Sequence, residues 1–164
     1  MRENHRVKVL FLCMGNICRS PAAHGVMESM VARSGLAGRI LVDSAGTLDY
    51  HEGELPDQRM REVAARRGYD LTHRSRPLTA RDFHDFDHIV AMDRQNLADL
   101  EEYRPHGKSR AEVTLLMSHC SDAPVEEVPD PYMGGRAGFE QVLDLAEQGC
   151  RALLDAIGRK HNLG

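Results

Sequence analysis

Cys13 ends an apolar run, Val9-Leu10-Phe11-Leu12, and Arg19 follows after the five residues Met14-Gly15-Asn16-Ile17-Cys18, with Ser20 and Pro21 next. A strand end, a short loop and a helix start in that order turn several backbone N–H groups into one concavity, and the helix dipole adds partial positive charge there. A thiol at one end of such an anion nest and a guanidinium at the other suit the transfer of a phosphoryl group to sulfur. The Cys13 thiolate would attack, the loop N–H groups would hold the oxygens, and the planar fork of Arg19 would take two of them. A free thiol ionises near pH ~8.5, and an anion nest can lower that to about 5. Ser20 has two compatible uses, as a donor to the Cys13 sulfur and as an N-cap. Asn16 is one of the few non-glycine residues that tolerate the left-handed backbone a tight nest requires. Cys18 is either a small residue packed under the nest or a second thiol that captures oxidised Cys13 as a disulfide.

The run from Cys13 to Pro21 resembles the phosphate-binding loop of the low molecular weight protein tyrosine phosphatases. Val42-Asp43-Ser44-Ala45-Gly46-Thr47, His73-Arg74-Ser75-Arg76 and Asp130-Pro131-Tyr132 are similar to that family too, in the family's order along the chain. The resemblance implies hydrolysis of phosphotyrosine and other aryl phosphates through a cysteinyl-phosphate, with Met14 to Ser20 as the phosphate-binding loop and no cofactor. It implies a hydrogen-bond network of Asn16, Ser20, Ser44 and His73 supporting the loop. Asp130, stiffened by Pro129 and Pro131, is then the general acid for a phenolate leaving group and the base for the water that follows. Tyr50 and Tyr132 are plausible aromatic walls of a pocket that only long aryl phosphates could enter. The implied partners are tyrosine-phosphorylated proteins, a bacterial tyrosine kinase or its substrates among them. Two departures stand out: His24 occupies a position where the family commonly has glutamate, and Met133 replaces a tyrosine often seen in eukaryotic members.

Other chemistries fit less well. A related arsenate reductase would need two further cysteines in the middle of the chain, and residues 48–119 contain none. A non-catalytic phosphotyrosine-binding module would be signalled by loss of Cys13, Arg19 or Asp130, and all three are present. The nine histidines show no two- or four-residue pairing on one helix face, and Cys13 with Cys18 lacks zinc-ligand spacing, so no metal site is expected. A net charge of −4 and the absence of tryptophan argue against nucleic acid. Arg59, Arg61, Arg66, Arg67, Arg74 and Arg76 form a local basic region, read as a solvated helix face or as a dock for an acidic phosphopeptide.

The elements that must position these groups alternate in type. Residues 7–12, 40–42, 87–92 and 113–117 read as strands. Residues 21–34, 56–67 (ended by Gly68) and 94–103 read as helices. A last helix carries Phe139, Val142, Leu143, Ala146, Cys150, Leu153, Leu154 and Ile157 at steps of three and four. Alternation of this kind predicts an α/β domain over residues 1–164, with a parallel sheet covered on both faces and ligands at the carboxyl ends of the strands. The resemblance narrows this to a small three-layer sandwich on a four-stranded parallel sheet, flavodoxin-like or phosphotyrosine phosphatase I-like. No signal peptide or membrane-length apolar run is visible, so no membrane insertion is expected. Four cysteines in such a chain read as thiols in the cytoplasm.

Overall fold

The computed structural model describes residues 6–131 and 135–163. Four parallel strands, β1 (Val7–Cys13), β2 (Ile40–Gly46), β3 (His88–Ala91) and β4 (Glu112–Leu115), form one sheet in the order β2-β1-β3-β4. The helices are α1 (Arg19–Arg33), α2 (Gln58–Arg66), α3 (Asp82–Asp85), α4 (Arg94–Leu100) and α5 (Gly135–His161), with a 3₁₀ turn at Leu116–His119. The architecture is the expected α/β sandwich on a four-stranded parallel sheet.

Successive side chains of a strand point to opposite faces, and β1 uses both. Val7, Val9, Phe11 and Cys13 join the larger core with Ala22, Val26 and Met30 of α1, Met60 and Val63 of α2, and Phe139, Val142 and Leu153 of α5. Leu10 and Leu12 join the smaller core with Leu78, Phe83, Phe86, Ile89 and Leu100. A strand buried on both faces must be apolar throughout, which is why this run shows no alternation. Its position beside β2 and β3 places Cys13 at the carboxyl end of the sheet's interior, where the strand order reverses direction.

Several boundaries differ from expectation. β2 continues beyond residue 42 to Gly46, with Asp43 and Ser44 opposite Leu10 and Phe11 in the ladder. Polar side chains made that stretch read as loop, whereas they serve the site described below. Helix α1 opens at Arg19 rather than at Pro21, with Cys18 as N-cap and no side-chain capping bond, so Ser20 lies inside the helix and is not its cap. Helix α2 starts at Gln58 because the Asp57 carboxylate accepts from the N–H groups of Arg59 and Met60. Helix α4 ends at Leu100, short of 103, and opens on a capping box between Asp93 and Asn96. The single turn α3 has too few residues to show a periodicity. Among the described residues, no helix is long and apolar enough to cross a membrane.

Gly46 is the tightest point between sheet and loop. It pairs with Cys13 in the ladder, and a Cβ there would lie 2.8 Å from the Met14 carbonyl oxygen and 3.1 Å from the Gly15 carbonyl carbon. Both neighbours are backbone, so relief requires moving the loop. Gly46→Ala should therefore lower stability by about 1–3 kcal/mol, the usual range for overpacking, in urea unfolding. A loss below ~0.5 kcal/mol, as at an indifferent surface position, would show that the loop has slack here.

Candidate active site

The loop from Cys13 to Cys18 is shaped by where its carbonyls go. The Cys13 carbonyl accepts from Thr47 N–H (3.0 Å), Met14 from Leu48 N–H (2.9 Å), Ile17 from Asp57 N–H (2.8 Å) and Cys18 from Ala22 N–H (3.1 Å). The Gly15 carbonyl accepts from Ser75 Oγ at 3.0 Å. In a trans peptide the carbonyl of one residue and the N–H of the next point in opposite directions. Five carbonyls drawn outwards therefore turn the N–H groups of Met14, Gly15, Asn16, Cys18 and Arg19 inwards. Asn16 takes the one left-handed position of the loop, with φ of 56°.

A directed chain of hydrogen bonds ends on the Cys13 sulfur. The backbone N–H of Arg76 can only donate, and it meets Asn16 Oδ1 at 3.0 Å, which fixes the orientation of the Asn16 amide. Asn16 Nδ2 must then face the other way, donating to Ser20 Oγ at 2.8 Å and Ser44 Oγ at 3.1 Å. Ser20 Oγ, already accepting, lies 2.9 Å from Cys13 Sγ with its own proton free to point there. The backbone N–H of Ser20 adds a second contact to the sulfur at 3.4 Å. Asn16, Ser20 and Ser44 are wholly buried, so an unmade bond in this chain is costly.

Arg19 is 4% exposed and held in place by its Nη1, which donates to Asp93 Oδ2 at 2.6 Å and to the Val128 carbonyl at 3.0 Å. Burial alone would weaken its hold on the proton, but the charges of Cys13, Asp93 and Asp130 outweigh burial and push its pKa above the ordinary value. With Nη1 engaged, Nε and Nη2 are the donors left for an oxyanion in the cavity that Arg19 lines. Asp93 was not anticipated from sequence; its carboxylate both caps α4 and holds Arg19. Cys18 is buried beside Cys13, and burial, aided by Asp57, pushes its thiol pKa up, so it stays protonated.

The cavity over the loop has a volume of about 370 Å³ and is lined by Cys13, Met14, Gly15, Ile17, Cys18, Arg19, His51 and Asp130. Asp130 thus stands at the cavity with the sulfur and the guanidinium. Tyr50 does not line it: that ring is 78% exposed, and the next residue in the same turn, His51, faces the cavity instead. Gly15 leaves room for it, because a Cβ there would come within 3.2 Å of the His51 ring. Tyr132 and Met133 lie outside the described residues.

His73 meets Ser44 at its backbone and not at its hydroxyl. His24 takes that place from α1, with Nδ1 3.0 Å from Ser44 Oγ and Nε2 3.3 Å from Glu28. His73 lies one ring further out, 4.9 Å from His24 between centroids, with Nδ1 3.5 Å from Asp43. Burial, together with the neighbouring His24, lowers its pKa. Half of the six arginines of the basic region stand in ion pairs: Arg76 pairs with Asp43 and Asp82, Arg67 with Glu140, Asp144 and Glu147, and Arg59 with Asp57. These three brace elements, whereas Arg66 and Arg74 are exposed.

Comparison with known proteins adds an independent line. Residues 8–163 match the family profile described as low molecular weight phosphotyrosine protein phosphatase. The chain is 36% identical to the low molecular weight protein-tyrosine-phosphatase YfkJ of Bacillus subtilis, over 96% of this chain and 99% of that one. It is 37% identical to the low molecular weight phosphotyrosine protein phosphatase of Homo sapiens, over 94% and 98%. A crystal structure of a protein tyrosine phosphatase from Entamoeba histolytica superposes with a TM-score of 0.88 at 41% identity, covering 94% of this chain and 99% of that one.

The directed chain makes a claim about reactivity. Ser20→Ala should slow alkylation of Cys13 by iodoacetamide at mildly acid pH by ~10-fold, since a hydrogen bond to a charged group contributes about 1.5–3 kcal/mol. Asn16→Gly keeps the left-handed backbone, does not touch the sulfur, and should still slow the reaction several-fold. The double variant should be little slower than Ser20→Ala, the sign of one shared path. Wild-type alkylation in Asn16→Gly would show that Ser20 orients without it.

Proposed function

The chain belongs to the low molecular weight phosphotyrosine protein phosphatase family, and from that premise we propose that it hydrolyses phosphotyrosine and other aryl phosphates through a phosphorylated Cys13. The observation that carries the reading is the meeting of Cys13 Sγ, the inward-turned N–H groups, Arg19 and Asp130 in one cavity. In the first step the Cys13 thiolate attacks phosphorus, an S–P bond forms, and the P–O bond to the aryl group breaks. The carboxyl proton of Asp130 passes to the leaving phenolate. The loop N–H groups and the Nε/Nη2 fork of Arg19 hold the three equatorial oxygens as charge gathers on them. In the second step the Asp130 carboxylate takes a proton from water, the oxygen attacks phosphorus, and the sulfur leaves, met by the Ser20 hydroxyl.

Met14, Ile17 and His51 give the aryl ring its walls among the described residues, and we assign Tyr132, which follows Asp130-Pro131 in the sequence, as a further wall. The substrates we propose are tyrosine-phosphorylated proteins, with a bacterial tyrosine kinase or its substrates as the narrower case; the names of the relatives support the broader class. We read residues 1–164 as one phosphatase domain acting in the cytoplasm, a compartment consistent with four free thiols.

The role of Asp130 is tested by a leaving-group series. Asp130→Asn should slow hydrolysis of phenyl phosphate by at least ~10²-fold, the lower range for a positioned acid, and slow a dinitrophenyl phosphate far less. Equal slowing across the series would reassign Asp130 to loop stiffness.

We propose a protective role for Cys18. Peroxide converts the Cys13 thiolate to a sulfenic acid, which condenses with the Cys18 thiol to give a disulfide and release water. Wild-type protein treated with peroxide should regain its activity with dithiothreitol, whereas Cys18→Ser should lose it for good as Cys13 passes to sulfinic acid. Equal recovery would leave Cys18 with packing alone.

A further inference from the structure

Behind the loop, on the far side of Ser44, a second cavity of about 300 Å³ opens between α1, β2 and the segment before Arg74. Its lining includes His24, Glu28, Asp43, Asp70 and His73, three carboxylates and two imidazoles with no lysine or arginine. One donor atom from each of His24, Asp43 and His73 lies within 4.8 Å of the others. His73 Nε2 is buried and has no hydrogen-bond partner. We propose that His24, Asp43 and His73 form a binding site for a divalent transition-metal cation of the zinc class.

The donor set decides the class of ion. Two imidazoles and a carboxylate suit Zn²⁺, Cu²⁺ or Ni²⁺, whereas Mg²⁺ and Ca²⁺ prefer oxygen alone. Bonds of ~2.0–2.1 Å in a tetrahedral site hold ligand atoms about 3.3 Å apart, so closing around the ion takes a modest rotation of the rings. His73 is 21% exposed and Asp43 28% exposed as side chains, which leaves an entry path. Arg76 donates to Asp43 Oδ2 and is shared with Asp82, while Oδ1 accepts from the Ser44 N–H at 2.8 Å and, 3.5 Å from His73 Nδ1, keeps a second lone pair for the ion. Glu28, 3.3 Å from His24 Nε2, supplies the fourth ligand or holds a water there.

The site bears on the loop through one imidazole. When His24 Nε2 holds its proton for Glu28, Nδ1 accepts from Ser44 Oγ. A metal on Nε2 takes that lone pair, so Nδ1 must carry the proton and donate to Ser44 instead. Ser44 Oγ already accepts from Asn16, so metal binding reverses a bond on the Ser44 branch of the Asn16 amide, beside the path through Ser20 that ends at the sulfur. Sequence spacing hides the site because its ligands come from three separate elements.

The test uses the Cys13→Ser protein, free of any affinity tag, so that the nucleophile cannot bind the metal and the result is independent of catalysis. Titration with Zn²⁺ should give one bound equivalent, and Co²⁺ should give visible absorption bands without a thiolate charge-transfer band. His73→Gln and His24→Gln should each weaken binding by more than ~10-fold, the lower range for losing even an outer-shell partner. In the unmutated chain, Zn²⁺ should shift the ¹H NMR resonances of the His24 and His73 rings, a readout that needs no foldable variant. Absence of binding, binding unchanged in both folded variants, or shifts confined to other histidines would each overturn the proposal.

Discussion

A loop that aims its N–H groups at one point must turn its carbonyls away, and every carbonyl turned away needs a donor. Much of this structure answers that requirement. Thr47 and Leu48 after β2, Asp57 before α2, Ser75 in the returning segment and Ala22 in α1 each supply one. The nest is therefore held from outside by four separate stretches of chain and needs little rigidity of its own. Gly46 is the position where this arrangement leaves no spare room.

Direction is the second consequence. A row of hydroxyls and amides can usually reverse its bonds, but the Arg76 N–H cannot, and through Asn16 it commits Ser20 to the sulfur. Arg19 is held in a similar way, since Asp93 and the Val128 carbonyl occupy Nη1 while the side chain lines the cavity. Both reacting groups are thus oriented before any substrate arrives, the condition under which fixed dipoles stabilise a transition state most strongly. Asp93 also caps α4, so the placement of Arg19 is tied to the packing of that helix against the smaller core.

What could be read from the chain follows the range of the interactions. The strand, loop and helix around Cys13 were legible because their signals are local: a continuous apolar run, a glycine- and asparagine-bearing loop, and helical periodicity. The long amphipathic helix α5 was legible for the same reason. Asp93 was not, since its partner Arg19 lies 74 positions away. The extension of β2 was hidden because Asp43 and Ser44 serve the site and so break the apolar pattern of a buried strand. His51 was passed over for Tyr50 because ring size is visible in a sequence and the direction of a turn is not. The contact of His24 with the Ser44 hydroxyl was hidden for the same reason, since only the packing of α1 against β2 brings the two together.

The central claim is that Cys13 becomes covalently phosphorylated during turnover. Mixing the wild-type chain with an aryl phosphate, quenching in acid within the first turnovers and mapping the peptides by mass spectrometry tests it directly. The account predicts a phosphate on the peptide that carries Cys13, absent from Cys13→Ser, which should also be inactive. Turnover without that adduct, or an active Cys13→Ser protein, would contradict it.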